Sequence, residues 1–178
     1  MLPRLHRFAL QVYRRLPVKA RRRVVRTLSP AFTVGSICVI ERSDSAVLLV
    51  RLSYRNAWGL PGGLLKRGED PAAAARREVF EEVVLDVDLI GEPAVVVDAD
   101  AQRVDVIFRA RPAAGADPDS VHSGSPEIVE VAWFPPDELP ALHFEASGAL
   151  VAVARATVNG RATTPGAGDE PSRGGAAS

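Results

Sequence analysis

The dipeptide Asp70-Pro71 and the run behind it, DPAAAARREVFEEV, constrain this chain more than any other stretch. Aspartate is a good N-cap acceptor, and proline suits the first helical position, where its missing N–H has no partner to lose and φ is already set. Ala72 to Ala75 favour the helix, and no breaker follows as far as Val83. At about 100° per residue, Glu78, Glu81 and Glu82 fall within an arc of roughly 100°. Ala72, Ala75, Val79, Phe80 and Val83 are expected on the other side, where the helix packs.

Three carboxylates at i, i+3 and i+4 repel one another by a few tenths of a kcal/mol per pair. Arg77 can meet Glu81 one turn on, and an all-oxygen cluster also suits a hard divalent cation. Taken alone, the helix fits a solvated acidic face better than a cation site. The preceding turn shifts the balance: Gly59, Gly62 and Gly63 around Pro61 let the backbone approach a ligand and take positive φ. Read as GX5EX7REUXEEXGU, with U aliphatic, the stretch from Gly63 to Leu85 resembles the Nudix box of the Nudix hydrolases. Gly63, Glu69, Arg77, Glu78, Val79, Glu81, Glu82 and Leu85 fall on the pattern, and Val84 stands where the family has glycine. Valine at φ > 0 costs about 1–2 kcal/mol, so the helix is expected to end in some other geometry.

The net charge of zero hides an asymmetry. Residues 1–40 hold nine bases and no acid, which leaves thirteen bases against all 22 acids, a net of −9, in the remainder. Two short helices divided near Pro17 are expected in this arm, from the recurrence of Leu5, Phe8 or Ala9, Val12 and Leu16, and of Arg21, Val24, Val25 and Leu28. Such a segment can dock on an acidic body, lie on an anionic membrane or hold nucleic acid, ranked here in that order. No apolar run approaches the roughly 20 residues of a bilayer span, and arginines interrupt any secretory core segment. A lone cysteine, Cys38, among aliphatic residues reads as a buried strand thiol and weakly favours a reducing cytoplasm. His6, His122 and His143 lack zinc-ligand spacing and are expected to be structural or on the surface.

Strands are expected at Ala31–Glu41 and Ala46–Leu52, followed by a loop with Arg51, Tyr54, Arg55 and Trp58 near the glycine turn. Those guanidiniums could bind phosphate and those rings stack a base, or Trp58 could pack beneath the loop. Asp86 to Gly91 leads into a hairpin of Ala94–Ala99 and Arg103–Ala110, whose Asp98, Asp100 and Asp105 are read as solvent contacts. Residues 111–126 read as a mobile loop, 127–134 as a strand, 135–140 as a turn, 144–158 as a helix and 159–178 as disordered by composition.

EIVEVAWFPPDELP is similar to the closing strand and turn of many Nudix domains. The resemblance implies an α/β fold, an α/β/α sandwich with a mixed β-sheet, in a domain of residues 31–158 between a basic helical arm (1–30) and the tail (159–178). It implies hydrolysis of a nucleoside diphosphate linked to another group, with Mg²⁺ or Mn²⁺ held by the Gly62 carbonyl, Glu78, Glu81 and Glu82. Arg77 would fix the glutamate rotamers, with Glu69 paired near it. Glu78 is the first candidate for general base and Glu127 or Glu130 the alternative, while Arg51, Arg55, Trp58 and Gly63 are the candidates for contact with substrate. The expected partner is a small nucleoside diphosphate compound, with no stable nucleic acid; peripheral membrane contact and a homodimer stay open. Signatures of particular substrate subgroups are not recognised outside the box, and a non-catalytic nucleotide-binding regulatory module is the alternative.

Overall fold

The computed structural model describes residues 13–29 and 31–162. The described residues divide into two compact units. One comprises the chain up to Thr33 with the hairpin tip 97–104, and the other comprises 34–96 and 105–162. In the first unit, helix α1 (Val18–Leu28) follows Pro17 and ends at Ser29, whose N–H donates to the Val25 carbonyl at 2.8 Å. The helix expected before Pro17 lies mostly outside the described residues, as do His6 and the tail beyond Ala162.

The second unit is built on strands whose two faces are both covered. Strands β1 (Thr33–Ile40) and β2 (Val47–Leu52) are near-continuous apolar runs, as expected for strands buried on both sides. Along β1 the alternation is explicit. Cys38 and Ile40 join Leu48, Val50, Ala75, Val79, Val83 and Leu85 in one core, while Ile37 and Val39 join Val47, Leu49, Ala149 and Val153 in another. Helix α2 (Pro71–Val83) thus covers one face and α3 (Phe144–Ala162) the other, giving an α/β/α sandwich. The Cys38 thiol is fully buried, and burial pushes it up to about 12, where it is inert.

Among the described residues, seven strands form two hydrogen-bonded groups, in the orders β4-β1-β6-β5 and β3-β2-β7. Two short strands were absent from the expected elements: β3 (Trp58–Gly59) pairs antiparallel with β2, and β4 (Gly62–Leu64) pairs antiparallel with β1. The glycine turn is therefore strand-paired and held in place. Strand β5 (Val87–Asp98) runs unbroken through Gly91, where the expected lead-in ends, and through Pro93. An edge strand tolerates both, because one row of its backbone groups needs no partner strand. Strand β6 (Arg103–Pro112) carries Asp105, which is buried rather than in solvent, and β7 (Ile128–Phe134) closes the second group.

Helix α2 begins where the sequence requires, with the Asp70 carboxylate accepting from the N–H groups of Ala72 and Ala73 at 2.9 and 3.2 Å. Its end and one of its faces differ from expectation. Val84 does take the left-handed conformation, at φ 55° and ψ 44°, and its N–H donates to the Phe80 carbonyl at 3.1 Å. The valine accepts that strain because the 111–126 segment closes over this end of the helix. Gly124 N–H donates to Glu82 O at 2.8 Å, and His122 N–H to Val83 O at 3.4 Å. A Cβ on Gly124 would lie 2.6 Å from the Glu81 carbonyl oxygen, so only glycine fits against the helix there. The same segment is pinned by Trp133 Nε1 donating to Pro118 O at 2.9 Å and by Arg42 paired with Asp119 at 2.9 Å, contrary to the mobile loop expected. Phe80, assigned to the packing side, is 51% exposed.

Candidate active site

Strand β4 and helix α2 meet through two glycine–glutamate contacts. Gly62 faces Ile37 across β1, at φ 155°, and a Cβ there would sit 2.3 Å from Ser36 O and 2.8 Å from Ile37 Cα. Its N–H donates to Glu82 Oε2 at 3.0 Å, so the contact it makes with the acid face is through its amide. Gly63 lies under Glu78, whose carboxylate atoms are 2.5–2.7 Å from where a Cβ would be. Residues 78 and 82, one helical turn apart, thus rest on consecutive residues of the strand.

Arg77 organises the surrounding acids. Its Nε and Nη2 bond the two oxygens of Glu69 at 2.7 and 2.9 Å, and its Nη1 bonds Glu78 at 2.7 Å and Glu81 at 3.0 Å. Glu69 also accepts from the Lys66 N–H at 2.7 Å, and Lys66 Nζ approaches Glu81 at 3.5 Å. The hydrogen bonds from Arg77, with that backbone bond, hold the Glu69 carboxyl down at about 2. Glu82 responds oppositely. Burial, followed by repulsion from Glu78, Glu127 and Glu81, raises its carboxyl to about 7 despite the Gly62 N–H.

These opposed shifts give a pH signature in metal-free protein. A carboxyl held near 7 when folded and near 4.5 when unfolded binds its proton more tightly in the native state. Its contribution is present below pH 4.5 and is lost as pH rises towards 7, by up to about 3 kcal/mol. Glu69 contributes above pH 4.5 and loses its contribution as pH falls towards 2. Thermal melts in chelator should therefore show Tm falling between pH 5 and 7, and Mg²⁺ should reverse the fall. A flat profile would contradict this reading of Glu82.

The other sequence candidates are brought near one another but are already partnered. Arg51 faces both Trp58 and Glu130 in the strand register. Its guanidinium is paired with Glu130, Nε at 2.8 Å, and lies 5.9 Å from the Trp58 ring centre. Trp58 packs edge-on against Phe134 and bridges to Leu142, which is the under-loop packing role. Arg55 bonds Glu145 at 3.1 Å and His143 Nδ1 at 3.2 Å, a polar group that the sequence did not signal. Glu130 is thus committed to Arg51, whereas Glu127 shows no ion pair among the described residues and acts electrostatically on Glu82.

The donor set around β4 is all oxygen, with Glu69, Glu78, Glu81, Glu82 and Glu127 against Arg77 and Lys66. That excess of carboxylate, with the Glu82 carboxyl raised by burial first and by its acidic neighbours second, fits a hard divalent cation in charge and chemistry. Among the described residues, no three acidic, histidine or cysteine side chains are already grouped as a finished ligand cage; Arg77 and the Gly62 amide hold them instead.

The NUDIX domain profile matches residues 31–154, which spans this whole arrangement. The chain belongs to the Nudix hydrolase family. As a Nudix hydrolase it is an enzyme acting on acid anhydrides, in a family that generally uses divalent metal ions. It is 32% identical to a MutT-like protein of Streptomyces ambofaciens over 113 residues, covering 64% of this chain and 70% of that protein. A bovine diphosphoinositol polyphosphate phosphohydrolase 3-beta is 36% identical over 69 residues, which span 42% of its length. Among solved structures, a NUDIX hydrolase from Nitrosomonas europaea superposes with a TM-score of 0.62 at 26% identity, covering 74% of this Nudix chain and 75% of its own. No helix among the described residues is long and apolar enough to cross a membrane.

Proposed function

We propose that this enzyme hydrolyses the pyrophosphate linkage of a nucleoside diphosphate joined to another group, with Mg²⁺ or Mn²⁺ as cofactor. The observation that carries the reading is the seating of Glu78 and Glu82 on Gly63 and Gly62, with Glu81 and Glu127 in the same field. Glu78, Glu81, Glu82 and the Gly62 carbonyl would hold the cations. Bound there, a divalent cation supplies charge neutralisation to the diphosphate and lowers the pKa of water. The residues themselves do the rest. Arg77 keeps Glu69, Glu78 and Glu81 in fixed rotamers, and Glu78 or Glu127 accepts the proton of the attacking water. Glu127 gains on Glu130 as the second candidate because Glu130 is tied to Arg51.

Arg51, Arg55 and Trp58 are proposed to meet substrate with whatever their present partners leave available. The hydrolase domain is proposed to span residues 31–158 and to act in the cytoplasm.

The test is a panel containing ADP-ribose, a UDP-linked compound, Ap4A and a diphosphoinositol polyphosphate, incubated with Mg²⁺ and read by mass spectrometry. One of the three nucleotides should be cleaved at its anhydride, and Glu82→Gln should lower kcat/KM for it by at least about 100-fold with Tm little changed; cleavage of the diphosphoinositol polyphosphate alone would overturn the nucleotide reading. Binding without mutant-sensitive turnover would favour the regulatory module instead.

A further inference from the structure

Helix α1 takes no part in the chemistry above, and its surface is composed unlike that of the rest of the chain. Val18 and Val25 are seven residues apart, hence about 20° apart around the helix, and keep 58% and 48% of their surface exposed. With Tyr13, Arg21 and Arg22 they line a shallow groove of about 520 Å³. Lys19, Arg22 and Arg23 are exposed beside them, and Arg21 Nε is tethered to the Leu16 carbonyl at 3.0 Å. No acid occurs in residues 1–40 to neutralise this face.

We propose that α1 docks on an anionic phospholipid surface, lying in its plane, and not on the acidic body that charge alone ranks first, because an acidic surface would pair the cations and give the exposed Val18 and Val25 no apolar environment. The cations match the negative surface in charge, and the interfacial region of a bilayer receives the adjacent valines, removing them from water. A nucleic acid would satisfy the cations but leave the valines exposed, so it matches only half of the surface. A helix of 11 residues with two exposed valines makes a reversible, salt-sensitive contact rather than an anchor.

Sedimentation of the full chain with phosphatidylcholine vesicles, with and without about one-third phosphatidylserine, tests this directly. Binding should require phosphatidylserine and weaken with added salt. It should fall at least about tenfold both in the Val18→Asp, Val25→Asp variant and in the Arg22→Glu, Arg23→Glu variant. Hydrolysis of soluble substrate should be unchanged in both, which separates this outcome from any failure of the catalytic assignment and shows that the variants are folded. Absence of vesicle binding would overturn the proposal, as would loss on charge reversal with none on valine replacement. Binding to single-stranded RNA that ignores Val18→Asp, Val25→Asp, with no binding to vesicles, would assign the surface to nucleic acid instead.

Discussion

Gly62→Ala should fail to give a stable protein, while Gly63→Ala should fold and lose activity. At Gly62 the added methyl would meet backbone, Ser36 O at 2.3 Å and Ile37 Cα at 2.8 Å. Strand β1 cannot retreat, because it is hydrogen-bonded between β4 and β6 and buried on both faces. The remaining way out is to break the β1–β4 pairing, together with the 2.9 Å bond from Cys38 N–H to Pro61 O. A cost of about 3–5 kcal/mol follows, a large part of a typical domain's total stability. At Gly63 the obstacle is the far end of the Glu78 side chain, which can swing away. Urea unfolding should therefore show Gly63→Ala within about 1–2 kcal/mol of wild type, with turnover reduced at least about 100-fold. Equal stability of the two variants would show that β4 is not seated as described.

Arg77→Ala should destabilise the protein by about 2–4 kcal/mol and remove most activity. The side chain is partly buried, 19% exposed, and holds three carboxylates at 2.7–3.0 Å, so deleting it leaves Glu69, Glu78 and Glu81 facing one another without compensation. Arg77→Lys should recover little. An ammonium supplies one charge from one point, whereas Glu69 is gripped by two nitrogens while a third reaches Glu78 and Glu81. Denaturation midpoints for the two variants, measured beside initial rates, check both halves. A lysine variant with near wild-type rate would reduce Arg77 to a counter-charge.

What could be read from the sequence was what local chemistry decides. The start of α2 was legible because Asp70 and Pro71 act within one turn, and β1 and β2 because an unbroken aliphatic run has to be covered on both sides. Strands β3 and β4 were not, since two or three residues carry no periodicity and a glycine pair reads as a turn until a neighbouring strand claims it. Val84 went against its own propensity because the Gly124 segment, forty residues on, closes over the helix end. Within the site, the acid face of α2 was readable from helical spacing and the Arg77–Glu69 pair from the Nudix pattern. The Arg51–Glu130 and Arg55–Glu145 pairs, 79 and 90 residues apart in sequence, exist only once the strands and α3 are assembled.

The carboxylates of α2 above β4 are proposed to bind divalent cations. Calorimetric titration of chelator-treated protein with Mn²⁺ measures this without reference to substrate. Saturable binding to wild type, weakened at least about tenfold in both Glu78→Gln and Glu82→Gln, is the predicted result. Unchanged affinity in those two variants would contradict the claim.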